Sequence, residues 1–301
     1  MTLFVGSLQL GLMYSLLAMG VYVSFRVLNT PDLTAEGSFT LGVAVSAMVT
    51  LQGMPYLGLL AAFVCGMAAG AVTGLLQTKV GVHPILAGIL TMSALYTVNL
   101  AVMGASANVS LIGKATILQQ LYEPLKPLGK DGVKLLTGSV LAALTLGLLA
   151  AFFKTHLGLC IRATGNNEAM VRSSSINAGR MKTVGLAVSN GCIALSGAIV
   201  AQYQGYADIS SGIGILVVGL ASVIIGEALL GRRGVTLGLV SAVAGSVAYR
   251  ILISLALSTN VFPTYFLKLI SAVIVAIALS LPTLREGLRR RRIRREGRRH
   301  A

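Results

Sequence analysis

Apolar residues occur along this chain in long runs that short polar stretches separate. A helix that crosses the roughly 30 Å hydrocarbon core of a bilayer needs about 20 mostly apolar residues, and in lipid its backbone groups must bond within the segment. The runs therefore predict transmembrane helices. Nine segments fit this length, near residues 3–25, 37–52, 56–76, 84–103, 135–153, 183–202, 213–230, 235–257 and 264–281.

Two of these segments, 37–52 and 213–230, are short and rich in glycine. Glycine weakens the interior of a helix and is typical of interrupted membrane helices. A continuous helix and a broken or re-entrant one both fit their sequences. The predicted fold class is an all-α polytopic membrane protein with about nine transmembrane segments.

The composition excludes a water-soluble globule. Of 301 residues, 55% are apolar and 11% are charged, against roughly a quarter charged in an ordinary soluble domain. Nine of the cations that give the net charge of +15 lie in a tail, residues 285–301. We expect this tail to be solvated or bound to anionic lipid. Nucleic-acid binding is not expected, because the rest of the chain consists of bilayer-length apolar segments.

Lysine and arginine accumulate in the cytoplasmic loops of membrane proteins. With the N-terminus outside, nine spans leave 18 cations inside and 5 outside, and Arg250 lies within a span. The sequence therefore predicts an outside N-terminus and a cytoplasmic C-terminus.

An internal repeat is the second architectural signal. Residues 32–37 resemble residues 208–213, and residues 57–59 resemble residues 237–239. In the nine-span arrangement the two copies start on opposite sides, which is an inverted repeat, and such repeats place a transport pathway between their halves. Chance similarity is the alternative, because glycine, leucine and alanine are abundant.

Polar side chains within or beside the spans are costly unless they are paired or face water. Each either joins helices or contacts a transported solute. If the Asp32 and Asp208 turns start half-helices near the bilayer centre, their N-terminal dipoles favour a substrate carboxylate. The candidate pathway residues are Glu36, Ser38, Asn99, Asn190, Gln202, Ser210 and Ser211.

Arg250 lies within the eighth span, roughly 22 Å from its cytoplasmic end. We expect its side chain either to extend toward the membrane surface or to pair with Asp208. Glu227 lies near the cytoplasmic end of its own span and is too distant to be a partner.

The polar stretch 154–182 predicts a helix of about ten residues, with Asn166 as its N-cap and Glu168 near the positive end of its dipole. Asn177 and Gly179 would end it. A helix of this length is marginal in water, so it is either a surface helix held by a loop or a knob that docks into a partner protein.

With residues 162–169, 176–177 and 194–198, the chain resembles the permease subunits of ATP-binding cassette importers of the branched-chain amino acid and ribose permease superfamily. Residues 202–208 and 219–228 are closer to the subgroup described as tryptophan and tyrosine transport permeases. The resemblance implies a bacterial inner-membrane protein with a permease domain over residues 1–284, a coupling loop at 154–182 and the basic tail.

The resemblance also implies partners: a second permease copy, an extracytoplasmic substrate-binding protein and an ATPase subunit. The chain has no G-x-x-x-x-G-K-[ST] motif, so ATP would be used by a separate chain. No cofactor or metal is expected on this chain, since its three histidines are isolated. The segment that matches the family's ATPase-coupling region contains Gly165, Asn166, Asn167, Glu168, Ala169, Met170, Arg172, Ile176 and Asn177.

The expected function is the import of a small polar solute, with an aromatic or branched-chain amino acid first and a sugar or nucleoside next. The rival is a secondary transporter that uses an ion gradient through Asp32, Glu36 or Asp208. An intramembrane enzyme is not expected, because the sequence offers no paired carboxylates or metal ligands.

Overall fold

A computed structural model describes residues 2–231 and 234–258 of the chain, together with the isolated positions 269, 272, 273 and 276. The predicted ninth span, 264–281, lies outside the described residues except at those positions. The basic tail, 285–301, lies outside them entirely.

The described residues form eleven α-helices and one pair of very short strands. The helices are α1 (Thr2–Tyr22), α2 (Thr34–Leu51), α3 (Pro55–Leu75), α4 (Pro84–Val102), α5 (Ile117–Tyr122), α6 (Gly129–Phe152), α7 (His156–Asn166), α8 (Glu168–Ser173), α9 (Ala178–Gln204), α10 (Ile215–Leu230) and α11 (Val235–Ser258). One π-helical turn follows α1 (Val23–Val27) and another follows α3 (Leu76–Val80), and the strands are β1 (Asn108–Ser110) and β2 (Tyr206–Asp208).

Seven helical segments in the described part of the chain are long and apolar enough to cross a membrane. They are Phe4–Val27, Thr34–Leu51, Pro55–Val80, Pro84–Val102, Lys126–Phe152, Ala178–Gln204 and Val235–Ala256. The apolar helix α10 has 16 residues, about 24 Å of helix. The predicted all-α polytopic class is confirmed. Both glycine-rich segments contain one continuous helix, α2 and α10, and each is short.

The chain alternates between two ends of the helix bundle. At one end, which we call the strand end, β1 and β2 pair antiparallel with Asn108 opposite Asp208. At the other, the loop end, α7 lies beside the π-helical turn that follows α1, α8 packs on α7 and α9, and Arg26 pairs with Glu227 of α10 at 2.6 Å. This alternation is the one that the predicted spans require over the described residues.

The centre of the bundle is the crossing of α1 and α9. Ser189 Oγ donates to the Gly20 carbonyl at 2.7 Å, and Ser196 Oγ donates to the Met13 carbonyl at 2.9 Å. Small residues let helices approach closely in membranes, and a side chain at Gly42 of α2 would overlap the Ala194 carbonyl of α9. Helix α9 packs on α2 and α3, whereas α1 packs on α10 and α11.

The two hydrogen bonds between α1 and α9 are related to each other in the way that the internal repeat predicts. Asp32 and Asp208 are 176 residues apart, and the same step carries Met13 to Ser189 and Gly20 to Ser196. The Ser196–Met13 hydrogen bond is therefore the repeat-related partner of the Ser189–Gly20 bond. The inverted repeat stays a prediction, and this correspondence supports it.

Candidate functional site

The connection between α1 and α2 turns back into the bundle, so that α2 begins in the interior. Asp32 is completely buried. Its carboxylate accepts from the Thr34 amide at 2.9 Å and from Asn190 Nδ2 at 2.6 Å. Asn190 lies about halfway along α9, roughly 20 Å from the end of that helix at Gln204. The chain enters α2 from the loop end, and α2 therefore starts near the middle of the bundle, well away from both ends.

The connection between β2 and α10 enters the bundle from the opposite end. A side chain at Gly212 would overlap the Glu36 carbonyl of α2, and the Gly214 amide donates to Glu36 Oε1 at 3.0 Å. Gly214 has φ 81°, a left-handed conformation that glycine adopts without steric cost. The first turns of α2 and α10 therefore meet at Glu36.

The N-termini of α2 and α10 both lie in the interior, but a carboxylate of this chain already accepts a hydrogen bond at each of them. Asp32 accepts from the first turn of α2, and Glu36 accepts from the residue that precedes α10. A helix N-terminus favours one negative charge within its first turn. The two helix ends are therefore poorer sites for a substrate carboxylate than the sequence indicated.

A cavity of about 350 Å³ lies between α2, α4 and the 209–213 segment. It brings together two of the predicted pathway residues, Glu36 and Asn99. Asn99 Nδ2 donates to the Gly37 carbonyl at 3.2 Å, and its Oδ1 has no partner among the described residues. The lining consists of Glu36, Gly37, Thr40, Met92, Ser93, Tyr96, Asn99, Ile209, Gly212 and Ile213. Tyr96 and Ile213 are more than half exposed, so the cavity opens on the outer surface of this chain.

Two other predicted pathway residues join helices. Gln202 Nε2 donates to Ser46 Oγ and to the Pro55 carbonyl, and its Oε1 accepts from the Ile117 amide, each at 3.0 Å. Asn190 binds Asp32 and the Leu186 carbonyl. The packing alternative describes these amides, because Gln202 joins α9 to α2, α3 and α5, and Asn190 joins α9 to the connection that precedes α2.

None of the three serines among the predicted pathway residues lines the cavity. Ser38 and Ser211 each have a buried hydroxyl without a partner among the described residues. Ser210 Oγ donates to the Asp208 carboxylate at 2.8 Å.

Arg250 takes neither of the two predicted positions. Its guanidinium carbon lies 3.8 Å from the centroid of the Tyr14 ring, which stacks on Phe39. Tyr14 is buried, so the side chain points into the bundle, where stacking on an aromatic face stabilises a cation. Among the described residues, Asp208 forms no ion pair with it.

At the loop end, the predicted coupling segment folds as two short helices in place of one. Asn166 belongs to the last turn of α7, and Asn167 is the N-cap of α8, accepting from the Met170 amide at 3.1 Å. The predicted cap at Asn166 is therefore wrong by one residue. Helix α8 has six residues, and Asn177 begins α9 by accepting from the Arg180 amide, so it does not end α8.

Helix α8 is held on the bundle by one ion pair with α9 and by one buried side chain. Glu168 pairs with Lys182 of α9 at 2.5 Å and with Arg172 at 2.7 Å. These two cations, Lys182 first, hold the pKa of the Glu168 carboxyl below its usual range. Val171, which the sequence analysis did not select, is the buried anchor of α8.

The face that remains outward carries most of the predicted coupling residues. Met170 is 58% exposed. By contrast, Gly165 near the end of α7 packs on the turn that follows α1, where a side chain would overlap the Val27 carbonyl. Glu168, Gly165 and Ile176 are partly buried. The exposed members are Asn166, Asn167, Ala169, Met170, Arg172 and Asn177.

A group of three histidine, cysteine or acidic side chains placed to hold a metal ion is not found in the part of the chain that the structure describes. The polar chemistry of these residues is that of hydrogen bonding and ion pairing.

Comparison with known proteins gives a consistent result over nearly the whole chain. The model of the family described as branched-chain amino acid transport system / permease component matches residues 3–279. The chain is 36% identical over 280 residues to the tyrosine transport system permease protein of Clostridioides difficile (strain R20291), covering 93% of this chain and 91% of that protein. It is 32% identical over 286 residues to an uncharacterized protein of Rickettsia prowazekii (strain Madrid E), covering 93% and 98%.

A more distant similarity is to the ribose import permease protein of Escherichia coli (strain K12), at 28% identity over 213 residues, which cover 69% of this chain and 64% of that protein. No solved structure matches the chain. The family resemblance found in the sequence is confirmed by these matches.

Proposed function

Since the chain belongs to the permease family of branched-chain amino acid transport systems, we propose that it carries an amino acid with an aromatic or branched side chain into the cytoplasm. The observation that supports this cargo is the similarity to a tyrosine transport permease over 93% of the chain. The family implies an ATPase subunit and a substrate-binding protein as partners, and we expect a second copy of the permease. Residues 1–284 form the permease domain of this proposal.

The cavity at Glu36 is the proposed place of solute contact. Its lining combines a carboxylate, hydroxyl groups, an amide and the Tyr96 ring, which suit an ammonium group and an aromatic side chain. Its opening beside Tyr96 and Ile213 supports a pathway at the surface where a second copy packs. A sugar is the second candidate cargo, and the similarity to a ribose permease favours it.

Uptake by reconstituted vesicles tests this proposal. The permease, its ATPase and its binding protein are reconstituted, and ATP-dependent uptake of L-tyrosine and of ribose is measured. Glu36→Gln keeps an acceptor for Gly214 but removes the charge, and we expect it to lower tyrosine uptake at least tenfold with normal membrane abundance. The matched control is Glu123→Gln, which changes an exposed carboxylate at the strand end.

Three results would contradict the proposal. Uptake that needs a proton or sodium gradient and no ATPase would identify a secondary transporter. Ribose uptake without tyrosine uptake would favour the second cargo. Equal uptake by Glu36→Gln and the control would remove the cavity from the pathway.

We further infer that the loop end faces the cytoplasm and that α8 is the contact for the ATPase. The support is the exposed Met170 on a helix that Glu168 and Val171 hold on the bundle, next to α7, whose Gly165 packs on the turn after α1. A helix fixed in this way transmits a displacement to the bundle, whereas a loose loop absorbs it.

A pair of methionine substitutions tests the contact. Met170→Asp places a charge on the outward face of α8 without altering the Glu168–Lys182 pair, and we expect the ATPase to be lost on copurification. Met54→Asp makes the same change at the strand end, where Met54 is 44% exposed, and should retain it. The reverse result would place the ATPase at the strand end and invert the orientation.

A further inference from the structure

A second cavity lies at the loop end, beside the start of the coupling segment. Its volume is about 400 Å³, and it is bordered by the end of α1 and the turn that follows it, by α7, and by the facing ends of α10 and α11. Its polar and turn-forming lining residues are Arg26, Arg162, Asn166, Glu227, Gly231 and Gly234. Neither the solute pathway nor the proposed ATPase contact uses this space.

The charges around this cavity do not balance. Glu227 is the one acidic residue of the lining, and it is paired with Arg26 at 2.6 Å, with its side chain only 9% exposed. Arg162 has no ion-pair partner among the described residues. One guanidinium in the cavity is therefore uncompensated.

Arg162 and Asn166 are one helical turn apart on α7 and line the same cavity. A guanidinium with two parallel N–H donors matches the oxygens of a phosphate group, and a side-chain amide adds further N–H donors.

We propose that this cavity is a phosphate-binding site in which Arg162 is the principal ligand and Asn166 a second donor. The phosphate is supplied either by the headgroup of an acidic phospholipid or by free phosphate. The cavity lies at the helix ends, which is the depth of the headgroup layer. A bound phosphate would lie between α7 and the facing ends of α10 and α11, next to the residue from which the coupling segment begins.

Binding to the purified full-length protein tests the site. The melting temperature in detergent is titrated with phosphatidylglycerol, with phosphatidylcholine, and with inorganic phosphate against chloride at equal ionic strength. The proposal expects stabilisation of the wild type by phosphatidylglycerol or by phosphate. Stabilisation by phosphatidylglycerol alone identifies the lipid headgroup as the source, and stabilisation by both shows that free phosphate suffices.

Arginine variants separate this site from the basic tail, which all of them retain. Arg162→Gln should weaken the binding at least tenfold, the loss expected for charge-assisted hydrogen bonds. Arg162→Lys keeps the charge but not the two parallel donors, so its binding should lie between those of the wild type and Arg162→Gln. Arg180→Gln removes an exposed cation from the same end of the bundle and should bind as the wild type does. Should Arg162→Gln fail to fold, Asn166→Asp introduces a repelling charge into the same cavity and should weaken binding similarly.

Two results would overturn the proposal. One is a wild-type protein that neither phosphatidylglycerol nor phosphate stabilises beyond the chloride control. The other is equal binding by the wild type and by a folded Arg162→Gln or Asn166→Asp variant. Because the readout is binding by the permease alone, it is independent of the cargo and of the ATPase contact.

Discussion

The two aspartate turns begin with the same local chemistry and end in different surroundings. Asp32 and Asp208 each accept from the backbone amide two residues later, Thr34 in one turn and Ser210 in the other, both at 2.9 Å. Asp32 is completely buried and bound by Asn190 of α9. Asp208 is partly exposed, and its further partner is the hydroxyl of Ser210.

The two turns show that the local sequence specifies the turn geometry, whereas the helix bundle determines the further partners of the carboxylate. An aspartate followed two residues later by serine or threonine specifies the turn. Whether the carboxylate also fixes a helix in the interior depends on a residue 158 positions away, Asn190. In the second half, Glu36 of α2 binds at the start of α10, so an acid from the other half of the chain has that role.

The largest difference between the turns should appear on removal of the carboxylates. Asp32→Ala leaves the Thr34 amide and one of the two N–H groups of Asn190 Nδ2 without a buried acceptor, at about 1–3 kcal/mol for each unsatisfied group. Asp208→Ala removes bonds that water can replace, and should cost about 1 kcal/mol or less. Thermal unfolding of the purified variants, together with their abundance in membranes, measures both.

Asp32→Asn is the control for this experiment, because it keeps the shape of the side chain and can still accept a hydrogen bond. It should be closer to the wild type than Asp32→Ala. Equal unfolding temperatures for Asp32→Ala and Asp208→Ala would show that the buried turn adds nothing beyond its local geometry.

A smaller effect tests whether the halves are equivalent at the bundle centre. Ser189→Ala and Ser196→Ala each remove one of the two repeat-related bonds between α1 and α9. Hydrogen bonds between membrane helices contribute about 0.6 kcal/mol on average, so both variants should lose a similar, small amount. Ser139→Ala, which loses only a bond within α6, serves as the reference. A loss confined to one of the two variants would argue against equivalent halves.

The smallest effect concerns Glu168, a carboxylate that fixes a helix at the surface. Its pKa is lowered by Lys182 and Arg172, so the ion pairs stabilise α8 at every pH above the ordinary glutamate value of about 4.3. This stabilisation is lost only as the pH falls through the lowered folded-state pKa. The side chain is 34% exposed, and solvent screening keeps the effect small.

Hydrogen exchange of the amides of α8, corrected for the intrinsic rate, measures this in the wild type and in Glu168→Gln. The wild type should be the better protected from pH 7 to about 5, and the two should converge at lower pH. A difference that grows as the pH falls would contradict the assigned pairing.

Much of the fold was accessible from the sequence, because bilayer thickness fixes the length of an apolar run. The spans predicted over the described residues each contain a helix, and the two glycine-rich segments contain the two short ones, α2 and α10. The boundaries shifted where capping decided them. Asn166 and Asn167 are both acceptable N-caps, and the length of α7 determined which of them begins α8.

The candidate site was less accessible, because the sequence shows that a residue is polar but not what it contacts. Glu36 and Asn99 line a cavity, whereas Gln202 and Asn190 join helices, and nothing local distinguishes these pairs. The buried position of Val171 was missed because the sequence of this short helix does not show which of its sides packs on the bundle. The direction of the Arg250 side chain was predicted from its depth in the span, but the ring of Tyr14, 236 residues earlier, determines it.

The close packing of Gly165 on the Val27 carbonyl has a mechanical consequence. A force applied to α8 passes through Asn167 to α7, and from Gly165 it reaches the turn that follows α1 through a backbone-to-backbone contact that has no side chain to yield. Helix α1 in turn touches α6, α9, α10 and α11, so with the proposed ATPase contact at α8 we expect the first helix of the chain to shift before the first turns of α2 and α10.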